Sequence, residues 1–446
     1  MAARLTHGSM NLPVVAIVGR PNVGKSQLFN RIVGDEAAIV SDEAGTTRDR
    51  HFAQAEWAGR YFYLVDTGGL TEDTHIPIDF EIRKQVEQAI DEADLMLLVV
   101  DAKNGLHPSD RKLVDMLRLA QKPWLLVANK VDNPASADFY EFYELGAGDP
   151  IPVSAQNGKG SGDMLDAVIA HIPDAPELAP ETVRVAVVGR PNVGKSSFVN
   201  KLLGEERLIV NDEAGTTRDA IDAPLKYHDS NLVFVDTAGL RRQSRVEDGV
   251  EFYSTLRTRR AIDSSDVCIL MIDATQGLEN QDLKIATLAW EAGRGLIIVV
   301  NKWDAFEEKN DKSTNKFKKD ALEKAPYLTN VPFLFTSALT GLRVSKVLDI
   351  VVAVEEQRQR RIPTSQVNEG LQELLARLQP PQASGREVKL NYATQVEVAP
   401  PTFAIFGNNP DAIPEHYLRY LHNGFRTKWG FLGTPLRIIM RRKTSE

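Results

Sequence analysis

Gly19-Arg20-Pro21-Asn22-Val23-Gly24-Lys25-Ser26 recurs, letter for letter, as Gly189-Arg190-Pro191-Asn192-Val193-Gly194-Lys195-Ser196. Each copy is a G-x-x-x-x-G-K-[ST] loop. Each follows an apolar run that reads as a buried strand, Val14-Val15-Ala16-Ile17-Val18 and Val185-Ala186-Val187-Val188. The glycines let the backbone curl so that successive N–H groups face an anion. The helix that opens at the loop's end adds its positive dipole end. Lys25 and Lys195 are expected to reach the β- and γ-phosphates, and the hydroxyls of Ser26 and Ser196 to ligate Mg²⁺. All eight residues of each loop are therefore candidates for nucleotide contact. Two such loops, each behind a strand, point to two nucleoside triphosphates per chain.

The repeat extends well beyond the loops. Gly45-Thr46-Thr47-Arg48-Asp49 returns as Gly215-Thr216-Thr217-Arg218-Asp219, and Asp66-Thr67-Gly68-Gly69 as Asp236-Thr237-Ala238-Gly239. Asn129-Lys130-Val131-Asp132 returns as Asn301-Lys302-Trp303-Asp304, and Ser154-Ala155 as Ser337-Ala338. The order is the same in both halves, so two domains of one fold stand in tandem. The offset is 170 as far as Gly69 and Gly239 and 172 at Asn129 and Asn301, and the larger drift, to 183, falls after Asp304, where the charge-rich stretch 307–319 reads as a longer solvated loop or helix. Strand-like runs alternate with helical patterns in each half. That predicts doubly wound, mostly parallel α/β sheets with the phosphate loop at the carboxyl edge.

At 446 residues the chain has room for about three domains of roughly 150 residues each. The division expected is a vector-derived leader at 1–10, a first domain at 11–172, a Pro-rich acidic linker at 173–183, a second domain at 184–362 and a small third domain at 363–446. Charge is uneven. Residues 364–446 carry 10 Lys and Arg against 7 Asp and Glu, although the whole chain is net −8. An acidic body thus ends in a basic module. The one cysteine, Cys268, excludes an intrachain disulfide and reads as a core thiol. No apolar run reaches the ~18 residues of a membrane span. These features predict a cytoplasmic chain, expected to be a monomer, with no membrane partner.

Asn-Lys-x-Asp behind a strand selects guanine. Asp132 and Asp304 can accept hydrogen bonds from the N1–H and 2-amino groups of that base. Adenine offers neither donor and would leave a carboxylate unpaired. The stems of Lys130 and Lys302 can lie along the base plane. Asn129 and Asn301 can reach the base or tie loops together. Ser154-Ala155 and Ser337-Ala338 can offer a backbone N–H to the guanine carbonyl, and Val131 and Trp303 complete the motif. GTP and GDP are therefore the expected ligands, and this motif argues against a P-loop kinase or ATPase.

Asp66 and Asp236 are expected at strand ends, holding Mg²⁺ through water. Thr67 and Thr237 lie beside them. Gly68, Gly69, Ala238 and Gly239 follow; the N–H of Gly69 or Gly239 can sense the γ-phosphate. Thr47 and Thr217 are expected to add a hydroxyl to the metal only when triphosphate is bound, making an order–disorder switch. The next positions are Leu70 and Leu240, and neither can orient a nucleophilic water. Either the water is held by other groups or the intrinsic rate is low. The segments beyond differ in charge, acidic after Leu70 and basic after Leu240.

These loops, the Gly-Thr-Thr-Arg-Asp segments, the leucine after each switch glycine and the tandem duplication make the chain resemble the bacterial EngA (Der) GTPases. The likeness runs from about Asn11 to the C-terminus. It implies a GTP-hydrolysing switch in ribosome biogenesis that acts on the large subunit or its rRNA. It also implies a K⁺ ion held by a P-loop asparagine, here Asn22 and Asn192, near the β/γ-phosphates. A helical pattern at Val367–Leu378, strands at Lys389–Val398 and Thr402–Phe406, a helix from Pro414 and a last strand at Leu436–Met440 follow. That order resembles a KH-type domain. The fold class expected is thus two tandem P-loop GTPase domains and a small α+β KH-like domain. The backbone clamp of that type is a Gly-x-x-Gly loop between two helices. The match here, Gly430-Phe431-Leu432-Gly433, precedes the last strand and reads as a turn. Arg419, Arg426, Lys428, Arg437, Arg441, Arg442 and Lys443 are candidates for phosphate contact. An alternative remains open, a guanine-nucleotide-sensing RNA-binding scaffold in which one site hydrolyses little. The third domain is further expected to pack on the GTPase domains, with the first domain's nucleotide controlling exposure of its basic face.

Overall fold

The computed structural model describes residues 12–34, 52–69, 78–133, 139–173, 182–205, 223–237, 251–306, 313–382 and 388–442. Thr47, Leu70, Thr217, Ala238, Gly239, Leu240, the leader, most of the linker and Lys443 lie outside them. Two compact units are built around Asn11–Glu177 and around Leu178–Asp248 with Arg257–Glu446.

In the first unit the chain runs β1 (Val14–Val18), α1 (Lys25–Gly34), β2 (Phe52–Trp57), β3 (Arg60–Asp66), α2 (Ile78–Glu92), β4 (Leu95–Asp101), α3 (Pro108–Leu119), β5 (Trp124–Asn129), β6 (Ile151–Pro152) and α4 (Ser161–His171). The strand order is β2-β3-β1-β4-β5-β6. β2 pairs antiparallel with β3, and the remaining pairings are parallel. Every residue of β1 is buried. Val14, Ala16 and Val18 enter a core with Leu113 and Leu117 of α3, while Val15 and Ile17 enter another with Leu28 and Ile32 of α1. A strand covered on both faces must be apolar without alternation, which is why this run reads as it does.

The second unit repeats the plan with β7 (Thr182–Val188), α5 (Lys195–Glu205), β8 (Ala223–Tyr227), β9 (Ser230–Phe234), α6 (Glu251–Asp263), β10 (Val267–Asp273), α7 (Asn280–Glu291), β11 (Gly295–Asn301), α8 (Ser313–Lys324), β12 (Phe333–Phe335) and α9 (Lys346–Gln359). Its order, β12-β11-β10-β7-β9-β8, is the same sheet written from the other edge. Cys268 is fully buried in β10. Burial raises its thiol pKa to about 11, as a core role requires.

The third domain runs α10 (Thr364–Arg377), β13 (Leu390–Val398), β14 (Pro401–Gly407), α11 (Glu415–Trp429) and β15 (Arg437–Arg442). β13 and β14 are antiparallel and β15 joins β14 in parallel. The expected α-β-β-α-β order therefore holds. Phe403 stacks on Trp429 at 5.6 Å between centroids and meets Phe425 edge-on at 5.1 Å. A domain this small buries little surface alone, so an aromatic centre and a docked neighbour both matter.

That neighbour is the second GTPase domain. The carbonyl of Gly433 accepts from Leu296 N–H at 2.7 Å, and its own N–H donates to the carbonyl of Asn330 at 2.7 Å. Gly433 has a φ of 66°, and a Cβ there would lie 2.7 Å from Val354 Cγ2. Arg437 Nη2 donates to the carbonyl of Glu291 at 2.7 Å. The guanidinium of Arg426 sits 5.7 Å from the Trp290 ring centroid. The Gly-x-x-Gly stretch is thus a turn, as its position implied, and it serves as a docking plug. Docking uses the amino ends of the strands, the edge opposite the phosphate loop.

Gly433→Ala is expected to destabilise this unit by on the order of 3 kcal/mol, since it adds left-handed strain to overpacking against Val354. The control is Gly204→Ala, a helical position where an added Cβ meets nothing within 4 Å. It is expected to be neutral or stabilising by up to ~1 kcal/mol. Chemical denaturation of both variants, followed by tryptophan fluorescence, checks the contrast.

Candidate nucleotide sites

The two phosphate loops leave the carboxyl ends of β1 and β7, where Gly19 and Gly189 make room. Their φ values are 149° and 144°, and a Cβ would fall 2.4 Å from the carbonyl oxygens of Val99 and Met271. In each loop the lysine folds back on the curve. Lys25 Nζ donates to the carbonyls of Gly19 and Arg20 at 2.9 and 2.8 Å. Lys195 Nζ does the same to Gly189 and Arg190 at 2.9 and 2.8 Å. Burial lowers the pKa of Lys195 to about 8. It also lowers that of Lys25, where the nearby Asp66 carboxylate opposes the shift. Asn22 and Asn192 sit at φ of 65° and 62°, a region asparagine tolerates. Ser26 and Ser196 open α1 and α5 beside the lysines.

The base-selecting loop is latched to the phosphate loop. Asn129 Nδ2 donates to the carbonyl of Val23 at 2.9 Å, while its Oδ1 accepts from Ala155 N–H at 3.0 Å. Asn301 bridges Val193 and Ala338 at 2.9 Å each. The asparagine therefore ties loops together, which is one of its two expected roles. Of the Ser-Ala backbone N–H groups expected to face the guanine carbonyl, those of Ala155 and Ala338 are taken up in this latch. Lys130 Nζ donates to the carbonyl of Asn22 at 2.8 Å and pairs with Asp101. Lys302 pairs with Asp273 at 2.6 Å. Burial alone would raise the pKa of Asp101. The hydrogen bond from Lys130 and the Asn104 and Lys103 N–H groups outweigh it and hold the carboxyl low.

Asp132 is half-exposed. It receives Lys103 at 2.8 Å and the Ser154 hydroxyl and Asn157 amide at 3.1 Å each. The Lys103 hydrogen bond lowers its pKa first, with Ser154 adding to it. Sequence reasoning missed Lys103. Its signal lies in the repeat, because Asp101-Ala102-Lys103 answers to Asp273-Ala274-Thr275 in the second half. It also missed the place of Arg20 and Arg190, whose guanidiniums turn away to buried aspartates, Asp110 and Asp282.

The switch aspartates differ. Asp66 ends β3, buried and paired in register with Ile17, and accepts from Gly68 N–H at 2.9 Å. Thr67 Oγ1 donates to the carbonyl of Ile17 at 2.8 Å, and Gly69 closes this turn. The second copy departs from the expectation. β9 pairs with β7 only as far as Val185↔Phe234, and Asp236 stands at a φ of 55° beyond the strand, with Thr237 buried beside it. A Cβ at Gly68 would lie 2.9 Å from Lys25 Cε. At the matching position the second copy's sequence carries alanine, Ala238.

Two of the tail cations also correct the expectation. Arg426 is buried, giving Nη1 to the carbonyls of Phe431 and Thr434 at 2.7 Å, and desolvation lowers its pKa to about 10. Arg437 is spent on docking. Arg419, Arg441 and Arg442 are exposed. Lys428 is also exposed and pairs with Glu373.

A family model described as "50S ribosome-binding GTPase" matches residues 14–130 and 184–302. One described as "KH-domain-like of EngA bacterial GTPase enzymes, C-terminal" matches residues 361–441. A protein named GTPase Der from Gemmatimonas aurantiaca is 75% identical over 98% of this chain and 100% of its own length. Another of that name from Pelotomaculum thermopropionicum is 50% identical over 98% of this chain and 100% of its own. The chain belongs to the Der (EngA) GTPase family. It is thus a GTP-binding member of a ribosome-associated GTPase family, with two GTPase domains and a KH-like domain. Among the described residues no helix is long and apolar enough to cross a membrane.

The latch explains the second P-loop glycine. Gly24 has a φ of 96°, and a Cβ would fall 2.3 Å from Asn129 Nδ2. Gly24→Ala is expected to break the latch and weaken GDP binding at the first site more than about tenfold, the second site being untouched. Two-site calorimetry reads both constants, and an unchanged first constant would show that the latch does not hold the loop.

Proposed function

We propose that this Der-family chain is a GTP-hydrolysing switch with two guanine-nucleotide sites, acting in assembly of the large ribosomal subunit. The observation that carries the two-site reading is the duplicated latch, in which Asn129 and Asn301 join a phosphate loop to a base-selecting loop. Each latch puts a triphosphate cradle and a guanine-reading carboxylate, Asp132 or Asp304, on one rigid edge. Pre-positioned N–H donors at the phosphates supply the electrostatic part of catalysis without reorganisation. The lysine amine, already seated on two loop carbonyls, has a short path to the β- and γ-phosphates.

The donor set of the first site, the Ser26 hydroxyl and the buried Asp66 carboxylate, is hard oxygen and fits Mg²⁺. Ser196 and Asp236 would serve the second site, and Thr47 and Thr217 would complete each set. Such a metal neutralises charge on the transferring phosphoryl group. Asn22 and Asn192 are the residues that would hold K⁺. That cation would stabilise charge developing at the β/γ-phosphates, while the water that Leu70 and Leu240 cannot orient would be held by other groups. Large-subunit binding is supported by the family model's own description and by the exposed basic residues Arg419, Arg441 and Arg442 on the KH-like domain. Its single, buried cysteine suits a reducing compartment, and we propose a cytoplasmic location and a monomeric state. A scaffold in which one site hydrolyses little is the second reading. The departure of Asp236 from its strand favours it, with the second site the slower one.

Calorimetry with GDP is expected to fit two sites. Asp132→Asn and Asp304→Asn should each abolish one, by a loss of roughly 10²-fold or more for guanine. Two sites surviving either change would refute the assignment. Turnover is expected to be higher in KCl than in NaCl at matched ionic strength, and equal rates would remove the K⁺ role. Co-sedimentation with 50S particles in GDP and in a non-hydrolysable GTP analogue is expected to differ between the two nucleotides.

A further inference from the structure

We propose that Arg20 and Arg190 are positioning residues that clamp each phosphate loop to the helix behind it, and are not ligands of the nucleotide's phosphates. The inference rests on the phosphate-loop reading and deepens it. Arg20 Nε donates to Asp110 Oδ1 at 2.7 Å, and Asp110 is fully buried. The other oxygen, Oδ2, accepts from His107 N–H at 3.0 Å and closes the first turn of α3 as a capping box. The second copy repeats each part. Arg190 Nε lies 3.1 and 3.2 Å from the two oxygens of Asp282, also fully buried. Asp282 Oδ2 accepts from Glu279 N–H at 3.1 Å at the start of α7. One carboxylate thus fixes a helix end and a loop side chain together.

The clamp reaches the reacting end of the loop through the backbone. The carbonyl of Arg20 accepts from Lys25 Nζ, and that of Arg190 from Lys195 Nζ, at 2.8 Å in both. A shift of the arginine backbone therefore moves an anchor of the lysine. The chain of contacts runs helix end, aspartate, guanidinium, arginine carbonyl, lysine amine. It is present in two units whose other details differ.

Stability does not explain this arrangement. A buried ion pair gains little over apolar residues of like volume, because both charges lose their water. Here the cost is higher still. Among the described residues, Nη2 of Arg20 and of Arg190 is buried with no hydrogen-bond partner. The same unsatisfied donor recurs in both copies. What the pair supplies is a fixed loop shape before the ligand arrives, so that binding orders less backbone.

The test turns on sign. Asp110→Asn keeps an acceptor for His107 N–H and removes a negative charge from behind the loop. If Arg20 is a phosphate ligand, this change frees its guanidinium, and GDP affinity at the first site stays level or rises. If Arg20 is a clamp, affinity at that site falls, on the order of tenfold for a loosened loop. Arg20→Met/Asp110→Asn is expected to fall by the same factor as Asp110→Asn alone, because both break one contact. Two-site calorimetry with GDP on the full chain provides an internal control, since the second constant should not move in either variant. The thermal unfolding temperature, measured beside it, is expected to fall for Asp110→Asn, which leaves the Arg20 guanidinium without its carboxylate, and to fall less for the double variant, which removes both charges. Asp282→Asn performs the same test on the second site and serves if the first pair of variants fails to fold. Level or higher affinity in Asp110→Asn, with two GDP still bound, would overturn the clamp. A parent chain that binds no GDP would instead overturn the nucleotide reading on which it rests.

Discussion

A single carboxamide in each GTPase domain does what no local segment can do. Asn129 gives its amide to the phosphate loop and takes an N–H from the Ser154-Ala155 loop, and Asn301 repeats both bonds. Three loops that are far apart in sequence become one surface. The glycines follow from this constraint. Gly24 and Gly194 are glycine because the amide occupies the space a Cβ would take. Each latch stands on strands that are buried on both faces, so the loops it joins start from fixed points. The Arg20–Asp110 and Arg190–Asp282 pairs brace the same loops from the side of the following helix.

The two copies share this frame and diverge where it ends. In the first, the strand continues to Asp66 and the turn after it closes on glycine against Lys25. In the second, pairing stops two residues earlier and Asp236 takes a left-handed conformation. The lysines differ too. Lys25 has a carboxylate nearby to oppose the effect of burial, whereas the support for Lys195 comes from Asp282, on the helix behind the loop. A gene duplication that kept every phosphate-loop letter has thus left two sites with unlike electrostatics.

The third domain is tied to the second by backbone and side-chain hydrogen bonds together. Gly433 donates and accepts across the joint, at a place where any larger residue would strike Val354. Two arginines counted among its basic surface groups are committed to this joint or to its own core. Arg437 caps Glu291, and Arg426 lies under Trp290, bound to its own chain's carbonyls. The joint also lies at the amino ends of the strands.

The sequence by itself determined the repeat, the sheet type and the identity of the loops. Val14–Val18 reads as a strand because four β-branched residues and one alanine make a short apolar run that ends on the glycine of a phosphate loop. The α-β-β-α-β order of the third domain was equally legible, since helical and strand periods alternate cleanly between turns. What only the tertiary structure decided is where shared groups are spent. Arg20 and Arg426 read from sequence as candidates for phosphate contact, yet Arg20 is paired with the buried Asp110 and Arg426 is buried against carbonyls of its own domain. Lys103 near Asp132, the Gly433 plug and the departure of Asp236 are likewise long-range facts. Periodicity reports which face of an element is covered. It cannot report which carbonyl or carboxylate lies across the gap, because that depends on distances the chain sets only once the sheets have closed.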